Sequence, residues 1–317
     1  MDKVRKFREK INIAGSVRAE EPMSLHTSFR VGGPADLYVE PLSLDEMIVS
    51  IRLAQELELP WIVLGAGSNV LVADEGIEGV VISTVHLNKI ETDGTVLYAE
   101  AGAMVEKVTE TACKAGLGGV EFLSSMPGSI GGAVWMNARC YGAEVADVLI
   151  EAGYLNTELT LKTLLLPDEK MSFGYKVSPF QKNPWIILYA RFQLHPENPA
   201  NIEHKMIEYQ EDRTRKGHFI APSAGSIFKN DRSFGAPAGV LLDRLGFKGF
   251  RIGDAEVSPL HANIILNRGK AQAKDIRQII TRMEQAVLDT YGRTLEPEVL
   301  FIGRWESRTE KNNETRR

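Results

Sequence analysis

The sequence has few of the residues that build covalent or metal-bound frameworks. Only two of its 317 residues are cysteines, Cys113 and Cys140. Two cysteines cannot form the disulfide framework of a small secreted protein, and they fit a reducing compartment. The six histidines include no pair at a spacing of two or four residues, which gives little support for a His/Cys metal site. We therefore expect neither a disulfide framework nor a bound metal.

The sequence also lacks the hydrophobic segments that direct a chain into a membrane. It contains no run of about 18 apolar residues, the length that a membrane-spanning helix needs. The charged start, residues 1–6, has no apolar core behind it and does not resemble a signal peptide. We therefore expect a soluble cytoplasmic protein without a membrane partner.

An excess of positive charge is missing as well. The chain has 37 Lys and Arg residues against 42 Asp and Glu residues, a formal net charge of −5. Basic residues cluster at 213–216 and near the C-terminal end, but acidic residues are mixed among them, so no nucleic-acid partner is predicted. The composition, 44% hydrophobic and 25% charged, is typical of a soluble globular enzyme, and 317 residues are enough for two or three subdomains.

Glycine, in contrast, is concentrated in three short loops that each lead into an apolar segment. The loops are Gly65–Asn69, Met126–Asn137 and Pro222–Asn230. Glycine allows backbone N–H groups to converge where a Cβ atom would collide, and such amides bind anions. The alternative for each loop is a tight turn whose small residues serve close packing. Three such loops are more than packing usually demands, and the first two suit a ligand with a pyrophosphate and extended rings.

The first loop does not match either of two common nucleotide-binding fingerprints. Counted from Gly65, a Rossmann fingerprint would need glycine where the sequence has Val70, and a strand rather than a helix is expected to follow. A Walker loop is excluded because no Gly-Lys-Ser/Thr sequence follows. Since metal ligands are not clustered either, an organic cofactor is favoured.

Hydrophobic periodicity predicts an α+β protein with three subdomains. Residues 1–82 would form an N-terminal helix and a βαβ unit, and residues 83–200 a mixed sheet with one helix. Residues 201–305 would form a third subdomain of the α+β type. Residues 306–317 are expected to be a disordered tail because they are charged and polar.

The same patterns predict the individual elements. Helices are predicted at residues 1–20, 44–58, 103–114, 201–215, 238–245 and 271–291. Residues 27–34 are predicted to be a strand that leads into a glycine turn. Further strands are predicted at residues 35–39, 61–64, 70–72, 80–82, 95–100, 161–166, 185–194, 261–266 and 295–302. The strands at 70–72 and 80–82 are expected to continue one sheet.

Five motifs resemble those of the UDP-N-acetylenolpyruvoylglucosamine reductase (MurB) family. They are Gly65-Ala-Gly-Ser-Asn69, Pro127-Gly-Ser-Ile-Gly-Gly-Ala133, Phe173-Gly-Tyr175, Gly225-Ser-Ile-Phe-Lys-Asn230 and Leu295-Glu-Pro-Glu-Val299. They occur in the family's order and cover about residues 24–303. The resemblance implies a two-part FAD-binding domain, a βαβ unit plus a mixed sheet, followed by an α+β substrate-binding domain. The compact third subdomain resembles the shorter of the family's two subtypes.

The resemblance implies an NADPH-dependent FAD enzyme of peptidoglycan precursor synthesis. NADPH would reduce FAD, NADP⁺ would leave, and UDP-N-acetylglucosamine enolpyruvate would enter the same cleft, so no dedicated dinucleotide fold is required. Hydride would pass from flavin N5 to C3 of the enolpyruvyl group, and a proton at C2 would complete UDP-N-acetylmuramate. Such a reaction needs fixed positive charge or hydrogen-bond donors at the substrate carboxylate, and a proton donor at C2.

Binding residues can be carried over to the matching positions. By resemblance, the FAD contacts would come from Gly65, Ala66, Gly67, Ser68, Asn69, Pro127, Gly128, Ser129, Gly131 and Gly132. The amides at the pyrophosphate would be those of Ser129, Gly131 and Gly132. Contacts with the UDP-sugar would come from Tyr175, Lys229 and Asn230.

Two residues of the third subdomain would carry chemistry. Ser226 resembles the family's proton-donating serine, with Lys229 supporting its alkoxide; the alternative is a hydroxyl that satisfies the backbone of the Gly225 turn. Glu298 resembles the family's essential glutamate. In a strand Glu296 and Glu298 would share a face, so spacing does not choose between them, and only the family position directly before valine selects Glu298.

The chain departs from the family pattern at several positions. Lys176, the third catalytic candidate, stands where the family usually has an arginine that faces the substrate carboxylate. Lysine lacks the planar fork of arginine, so either it makes a single-point contact with the carboxylate or another cation has taken over that contact. The alternative is that Lys176 is a solvated surface lysine. Arg139 and Cys140 replace small residues, and we expect an outward-pointing arginine and a small buried cysteine. Asp231 stands where proline is usual.

Two other functions remain open. An FAD-dependent oxidase or dehydrogenase of a small alcohol or hydroxy acid would explain the first two loops, but not Gly225–Asn230 together with Glu298. A non-catalytic nucleotide-binding sensor is supported only by the departure at Lys176. Under the favoured reading the partner is a small UDP-sugar, and the protein is expected to be a monomer.

Overall fold

The computed structural model describes residues 3–166 and 172–305. The predicted disordered tail, residues 306–317, lies outside the described residues. Within them, helices and sheets are mixed along the chain, which confirms the predicted α+β class. The exact boundaries of the three subdomains stay a prediction.

The first sheet comes from the N-terminal part of the chain. Its region contains the helices α1 (Lys3–Lys10) and α2 (Leu44–Glu56) and the strands β1 (Ser16–Pro22), β2 (Pro34–Glu40), β3 (Trp61–Leu64), β4 (Val70–Val72) and β5 (Ile77–Ser83). The four-stranded sheet has the order β1-β2-β5-β3. Only β1 and β2 are antiparallel, so β2, α2 and β3 form the predicted βαβ unit with β5 between its strands.

Three predictions for this region are wrong. No strand forms in residues 27–33, which are turns and irregular backbone between β1 and β2. A helix does not extend over residues 1–20, because β1 pairs with β2 and places Ser16 opposite Glu40. Pairing with a neighbouring strand outweighs the local preference of this polar segment. Strand β4 does not continue the first sheet either, since it pairs in parallel with Leu300–Ile302 at the other end of the chain.

The second sheet follows and is antiparallel throughout. Its region contains α3 (Val105–Lys114), α4 (Ile130–Trp135), β6 (Ile90–Asp93), β7 (Val96–Glu100), β8 (Leu117–Gly118), β9 (Arg139–Cys140), β10 (Ala143–Glu144), β11 (Leu149–Leu155), β12 (Leu161–Leu165), β13 (Ile186–Gln193) and β14 (His195–Pro196). The five-stranded sheet has the order β12-β11-β13-β7-β6. Strand β11 was not predicted because Gly153 interrupts its pattern; a Cβ there would lie 2.0 Å from the Tyr189 ring of β13.

The third region is built around a long helix. It contains α5 (Pro199–Arg215), α6 (Ala238–Arg244), α7 (Ala273–Tyr291), β15 (Arg251–Ile252), β16 (Ala255–Val257), β17 (Ile265–Asn267) and β18 (Leu300–Ile302). Helix α7 buries one stripe of apolar residues at helical spacing, namely Ile276, Ile279, Ile280, Met283 and Val287. The strand predicted at 295–302 is shorter than expected, and its regular part, β18, returns to β4 of the first region.

Among residues 3–166 and 172–305, no helix is both long and apolar enough to cross a membrane. Nor do these residues contain a group of three or more His, Cys, Asp or Glu side chains arranged to hold a metal ion.

Candidate active site

A cleft of about 1120 Å³ lies where loops from the three regions meet. This volume lies just above the roughly 300–1,000 Å³ of a typical small-molecule site, so the cleft has room for a large ligand. The loop after β3, the loop before α4 and the segment Ala224–Asn230 all contribute to its lining. The three glycine loops recognised in the sequence therefore open into one cavity.

The loop Gly65–Asn69 packs closely on its surroundings, and Gly67 in particular requires glycine. A Cβ on Gly65 would lie 2.2 Å from the Ser129 hydroxyl oxygen, and one on Gly67 would lie 2.0 Å from the His26 carbonyl oxygen. Gly67 also has a φ of +61°, which glycine adopts without strain. The close approach at Gly65 brings the first two glycine loops into contact, so that they form one continuous surface.

The loop before α4 presents free backbone donors at this surface. The N–H groups of Ser129 and Gly132 have no acceptor among the described residues. The N–H of Gly131, however, donates to the Ala101 carbonyl at 2.8 Å. The prediction that Gly131 supplies an amide to a phosphate is therefore wrong, although Gly131 does line the cleft.

The residues on this wall suit a flavin nucleotide. The Thr84 hydroxyl oxygen is buried, lines the cleft and has no hydrogen-bond partner within the described chain. An unsatisfied buried polar group costs about 1–3 kcal/mol, which a ligand oxygen at this wall would recover. Together with the free amides of Ser129 and Gly132, the hydroxyl forms a set of donors that matches a diphosphate and its ribose neighbours.

Ser226 lies in an extended segment with a support on each side. On one side, the Ile227 N–H donates to the Asn263 carbonyl at 2.8 Å; on the other, the Glu298 N–H donates to the Ile227 carbonyl at 2.7 Å. The buried Asn263 side chain also bonds both backbone groups of Phe228. These contacts fix Ser226 at the cleft wall, beside the segment that carries Glu298.

Alternation along this segment separates two residues that were predicted to act together. Ser226, Phe228 and Asn230 line the cleft, and side chains at the intervening positions of an extended segment point to the opposite face. The Lys229 ammonium accordingly lies 2.6 Å from a Glu296 carboxylate oxygen, away from the cleft lining. The prediction that Lys229 supports Ser226 is therefore wrong, and its placement argues against a substrate contact.

The other two predicted substrate residues meet across the cleft. The Asn230 N–H donates to the Tyr175 hydroxyl oxygen at 3.2 Å. The Asn230 side-chain oxygen accepts the Ala238 N–H at the start of α6. Since this oxygen is occupied, the Asn230 NH₂ group is the part of the side chain that a ligand can use.

Lys176 and Glu298 form a short, largely buried ion pair. Lys176 Nζ lies 2.6 Å from Glu298 Oε1, and the two side chains are 14% and 13% exposed. Glu296, which the sequence could not distinguish from Glu298, is 71% exposed. The predicted shared face is wrong because the regular strand begins only at Leu300. Lys176 is not a solvated surface lysine.

Lys176 is held in an unusual backbone conformation. Its φ is +58°, in a two-residue turn that Gly174 and Val177 close with two mutual backbone hydrogen bonds. The Gln181 side chain donates to the Lys176 carbonyl at 3.0 Å, and the buried Asn137 side chain donates to the Gly174 carbonyl at 2.8 Å. The left-handed conformation costs about 1–2 kcal/mol for a non-glycine residue, and these contacts keep the lysine aimed into the cleft.

The described residues that line the cleft carry more positive than negative charge. The cations are Arg139, Lys176, Arg213 and Lys216, and the carboxylates are Asp212 and Glu298. Lys176 pairs with Glu298 and Lys216 with Asp212. Arg213 is only 8% exposed, and its Nε has no hydrogen-bond partner in the described chain. This excess of positive charge favours a ligand with phosphate or carboxylate groups.

Two histidines in the cleft wall do not add to this charge near neutral pH. Burial, helped by the nearby Arg213 cation, lowers the pKa of His218 to about 4. Burial also lowers the pKa of His261, whose Nδ1 accepts the Asn263 N–H at 3.2 Å. Both rings are therefore neutral near pH 7, and they present polar nitrogens rather than cations.

Several lining residues were missed or misjudged in the sequence. Thr84 follows β5 without any motif that marks it, and Arg213 resembles the solvated charges around it in a polar helix. The expectation that Arg139 points outward is wrong, because it lines the cleft, as does the half-buried Cys140. The positions of these residues in the cleft depend on packing between segments that are distant in the sequence, and local sequence patterns do not predict such packing.

Comparison with known proteins identifies relatives of the whole chain. The FAD binding domain family matches residues 35–158, and the family described as UDP-N-acetylenolpyruvoylglucosamine reductase, C-terminal domain, matches residues 216–302. The UDP-N-acetylenolpyruvoylglucosamine reductase of Borrelia garinii subsp. bavariensis is 39% identical over 298 residues, which are 94% of this chain and 96% of that protein. The reductase of Clostridium perfringens (strain SM101 / Type A) is 39% identical over 288 residues, 91% and 93% of the two chains.

A solved structure agrees with these relatives. The crystal structure of UDP-N-acetylenolpyruvylglucosamine reductase (MurB) from Thermus caldophilus superposes with a TM-score of 0.76 at 32% identity, over 92% of this chain and 100% of that one. The matched FAD-binding region contains the first two glycine loops, and the matched C-terminal domain contains Ser226 and Glu298. The resemblance predicted from the five motifs is confirmed, and the chain belongs to the UDP-N-acetylenolpyruvoylglucosamine reductase family.

Proposed function

We propose that this protein reduces the enolpyruvyl ether of UDP-N-acetylglucosamine enolpyruvate to the lactyl ether of UDP-N-acetylmuramate, with NADPH as reductant and FAD as cofactor. The observation that carries the proposal is the cluster of Ser226 with the Lys176–Glu298 ion pair in the same cleft as the two FAD loops. An oxidase of a small alcohol would not need this largely buried lysine in the cleft. A non-catalytic sensor would not need a serine fixed beside it.

The loops after β3 and before α4 would hold the cofactor. The free amides of Ser129 and Gly132 and the orphan hydroxyl of Thr84 would contact its diphosphate region. Bound there, the flavin would supply the hydride chemistry that links NADPH to C3 of the enolpyruvyl group. Since one cleft serves NADPH and the UDP-sugar in turn, the lack of a Rossmann fingerprint is consistent with this function.

Lys176 would stabilise the negative charge that develops at C2. The charge spreads into the substrate carboxylate, where a fixed cation lowers the energy of the transition state. An ammonium has three N–H donors, and Glu298 occupies one of them at 2.6 Å. Glu298 therefore fixes the direction of the side chain while the remaining donors are available to the substrate carboxylate.

Ser226 would deliver the proton to C2. A serine hydroxyl is a weak acid, but an enolate-like carbon is strongly basic, so transfer is favourable once the two groups are in contact. The hydrogen bonds on both sides of Ile227 keep Ser226 at the cleft wall. Since Lys229 is paired with Glu296, recovery of the serine proton depends on groups inside the cleft or on water.

The product belongs to peptidoglycan precursor synthesis, and we place the enzyme in the cytoplasm with roles in cell-wall biogenesis, cell shape and cell division. NADPH and nucleotide sugars are cytoplasmic metabolites, and both cysteines are free thiols, which support this placement. A monomer remains the predicted state.

The proposal is tested by steady-state kinetics with product analysis. The purified holoenzyme is incubated with NADPH and the enolpyruvyl UDP-sugar. The products are separated, and their molecular masses are determined by mass spectrometry. We expect one NADPH to be consumed for each UDP-sugar that gains two hydrogen atoms. NADPH consumption that does not depend on the UDP-sugar, or a UDP-sugar of unchanged mass, would count against the reductase function.

Lys176→Arg is expected to keep turnover within about threefold of the wild type, because the positive charge and its pairing with Glu298 are retained. Lys176→Met is expected to lower turnover at least about 100-fold, since the substrate carboxylate loses the Lys176 ammonium. Both variants should retain bound FAD. An inactive Lys176→Arg variant combined with an active Lys176→Ala variant would move this role to another residue.

Gly67→Ala is expected to abolish FAD retention, because the new Cβ would lie 2.0 Å from the His26 carbonyl oxygen in a loop with a φ of +61°. Gly235→Ala is a matched control: its φ is +71°, no atom lies within 4 Å of its Cβ, and it is outside the cleft lining. The flavin absorbance per mole of folded protein measures the effect. Equal FAD content in the two variants would contradict the assigned role of the first loop.

A further inference from the structure

Arg139 occupies a fixed position at the cleft wall where the family pattern has a small residue. It lies in β9, directly opposite Glu144 in β10. The turn of this hairpin is anchored by Tyr141, whose hydroxyl donates to an Asp212 carboxylate oxygen at 3.0 Å and whose ring stacks on Tyr209 at 3.9 Å. The backbone of Arg139 is therefore well supported, and its side chain lines the cleft.

The charge of Arg139 is only weakly compensated inside the protein. Its Nη1 lies 3.4 Å from Glu144 Oε2, which is long for a hydrogen bond. The Glu144 carboxylate has other donors, since it accepts from the Asn137 side chain at 3.1 Å and from the Asp147 N–H. A guanidinium group has five N–H donors, so most of those on Arg139 are available to a ligand.

Arg139 also lies close to the proposed reaction centre. Its guanidinium carbon is 5.7 Å from the centre of the Tyr175 ring, a position in which an aromatic face attracts a cation. Tyr175 directly precedes Lys176, whose ammonium pairs with Glu298. The Arg139 guanidinium and the Lys176 ammonium therefore line the same cleft, on either side of Tyr175 in the contacts described.

We propose that Arg139 binds the carboxylate of the substrate's enolpyruvyl group together with Lys176. An ammonium acts as a point charge, whereas a guanidinium matches both oxygens of a carboxylate. The two side chains thus supply the charge and the planar geometry that a single arginine at position 176 would supply. Both then stabilise the negative charge that spreads from C2 into the carboxylate. This inference rests on the proposed function.

The first test measures binding to the oxidised FAD enzyme through the change in flavin absorbance. Arg139→Ala is expected to weaken binding of the enolpyruvyl UDP-sugar by about 10- to 100-fold and to raise its KM accordingly. Binding of UDP alone, which has no such carboxylate, and reduction by NADPH should stay within about twofold of the wild type. Unchanged affinity for the UDP-sugar overturns the proposal, and so does an equal loss of affinity for UDP, which would assign Arg139 to the diphosphate.

Two further variants separate binding from support of the hairpin. Glu144→Gln removes the ion pair but keeps Arg139, so the affinity for the UDP-sugar should be retained. If Glu144→Gln loses as much affinity as Arg139→Ala, binding depends on the ion pair and not on the Arg139 cation, and the proposal is overturned. Adding Lys176→Arg to Arg139→Ala should restore most of the lost affinity, because one guanidinium is again present. No recovery overturns the shared role. Wild-type turnover, measured in parallel, tests the proposed function separately.

Discussion

Ser226→Ala is expected to leave reduction of the enzyme by NADPH intact and to slow its reoxidation by the enolpyruvyl UDP-sugar by about 10²- to 10⁴-fold, the range for loss of a general acid. The hydroxyl is the proposed proton source at C2, and it plays no part in the first half-reaction. Anaerobic stopped-flow absorbance of the flavin measures the two half-reactions separately.

Ser223→Ala is the matched control for this variant. Ser223 belongs to the same loop, and its hydroxyl accepts the Gly225 N–H at 3.4 Å, but it does not line the cleft. Both half-reactions should therefore proceed at nearly the wild-type rate in Ser223→Ala. If Ser226→Ala slowed both half-reactions equally, the hydroxyl would have a structural role, and the assignment of the proton donor would be wrong.

Glu298→Gln is expected to lower turnover with the UDP-sugar at least about 100-fold, because the Lys176 ammonium loses the partner that directs it. The pair is short and only 13–14% exposed, so an uncompensated lysine also lowers the free energy of unfolding, by about 1–3 kcal/mol. Turnover and urea unfolding of the same preparations measure the two effects.

Glu296→Gln provides the contrast that the sequence alone could not make. Glu296 pairs with Lys229 at 2.6 Å, but it is 71% exposed, and surface ion pairs contribute about 0–1 kcal/mol. Loss of the Glu296 charge should leave turnover unchanged and the free energy of unfolding nearly unchanged. Equal losses in Glu296→Gln and Glu298→Gln would remove the basis for assigning the essential carboxylate to Glu298.

The parts of the site that the sequence could predict are those fixed by backbone geometry. Gly67 must be glycine because it has a positive φ and its Cβ would collide with the His26 backbone, and such a requirement leaves a visible trace in the sequence. The long helix α7 was predicted for a similar reason, since its buried stripe recurs at helical spacing.

The parts that could not be predicted depend on side-chain directions in irregular segments. Glu296 and Glu298 point in different directions because residues 295–299 precede the regular strand, which begins at Leu300. Arg139 points into the cleft because the β9–β10 hairpin is anchored on α5 through Tyr141, a contact between distant parts of the chain. Lys229 is an instructive exception, because the alternation that turns it away from Ser226 was already visible in the sequence.

The most direct test of the account is a single anaerobic mixing experiment. The enzyme is first reduced with one equivalent of NADPH, NADP⁺ is removed, and the enolpyruvyl UDP-sugar is added without oxygen. We expect the absorbance of oxidised flavin to return in step with the formation of UDP-N-acetylmuramate. A flavin that stays reduced in the presence of the UDP-sugar, but is reoxidised when oxygen is admitted, would contradict the account.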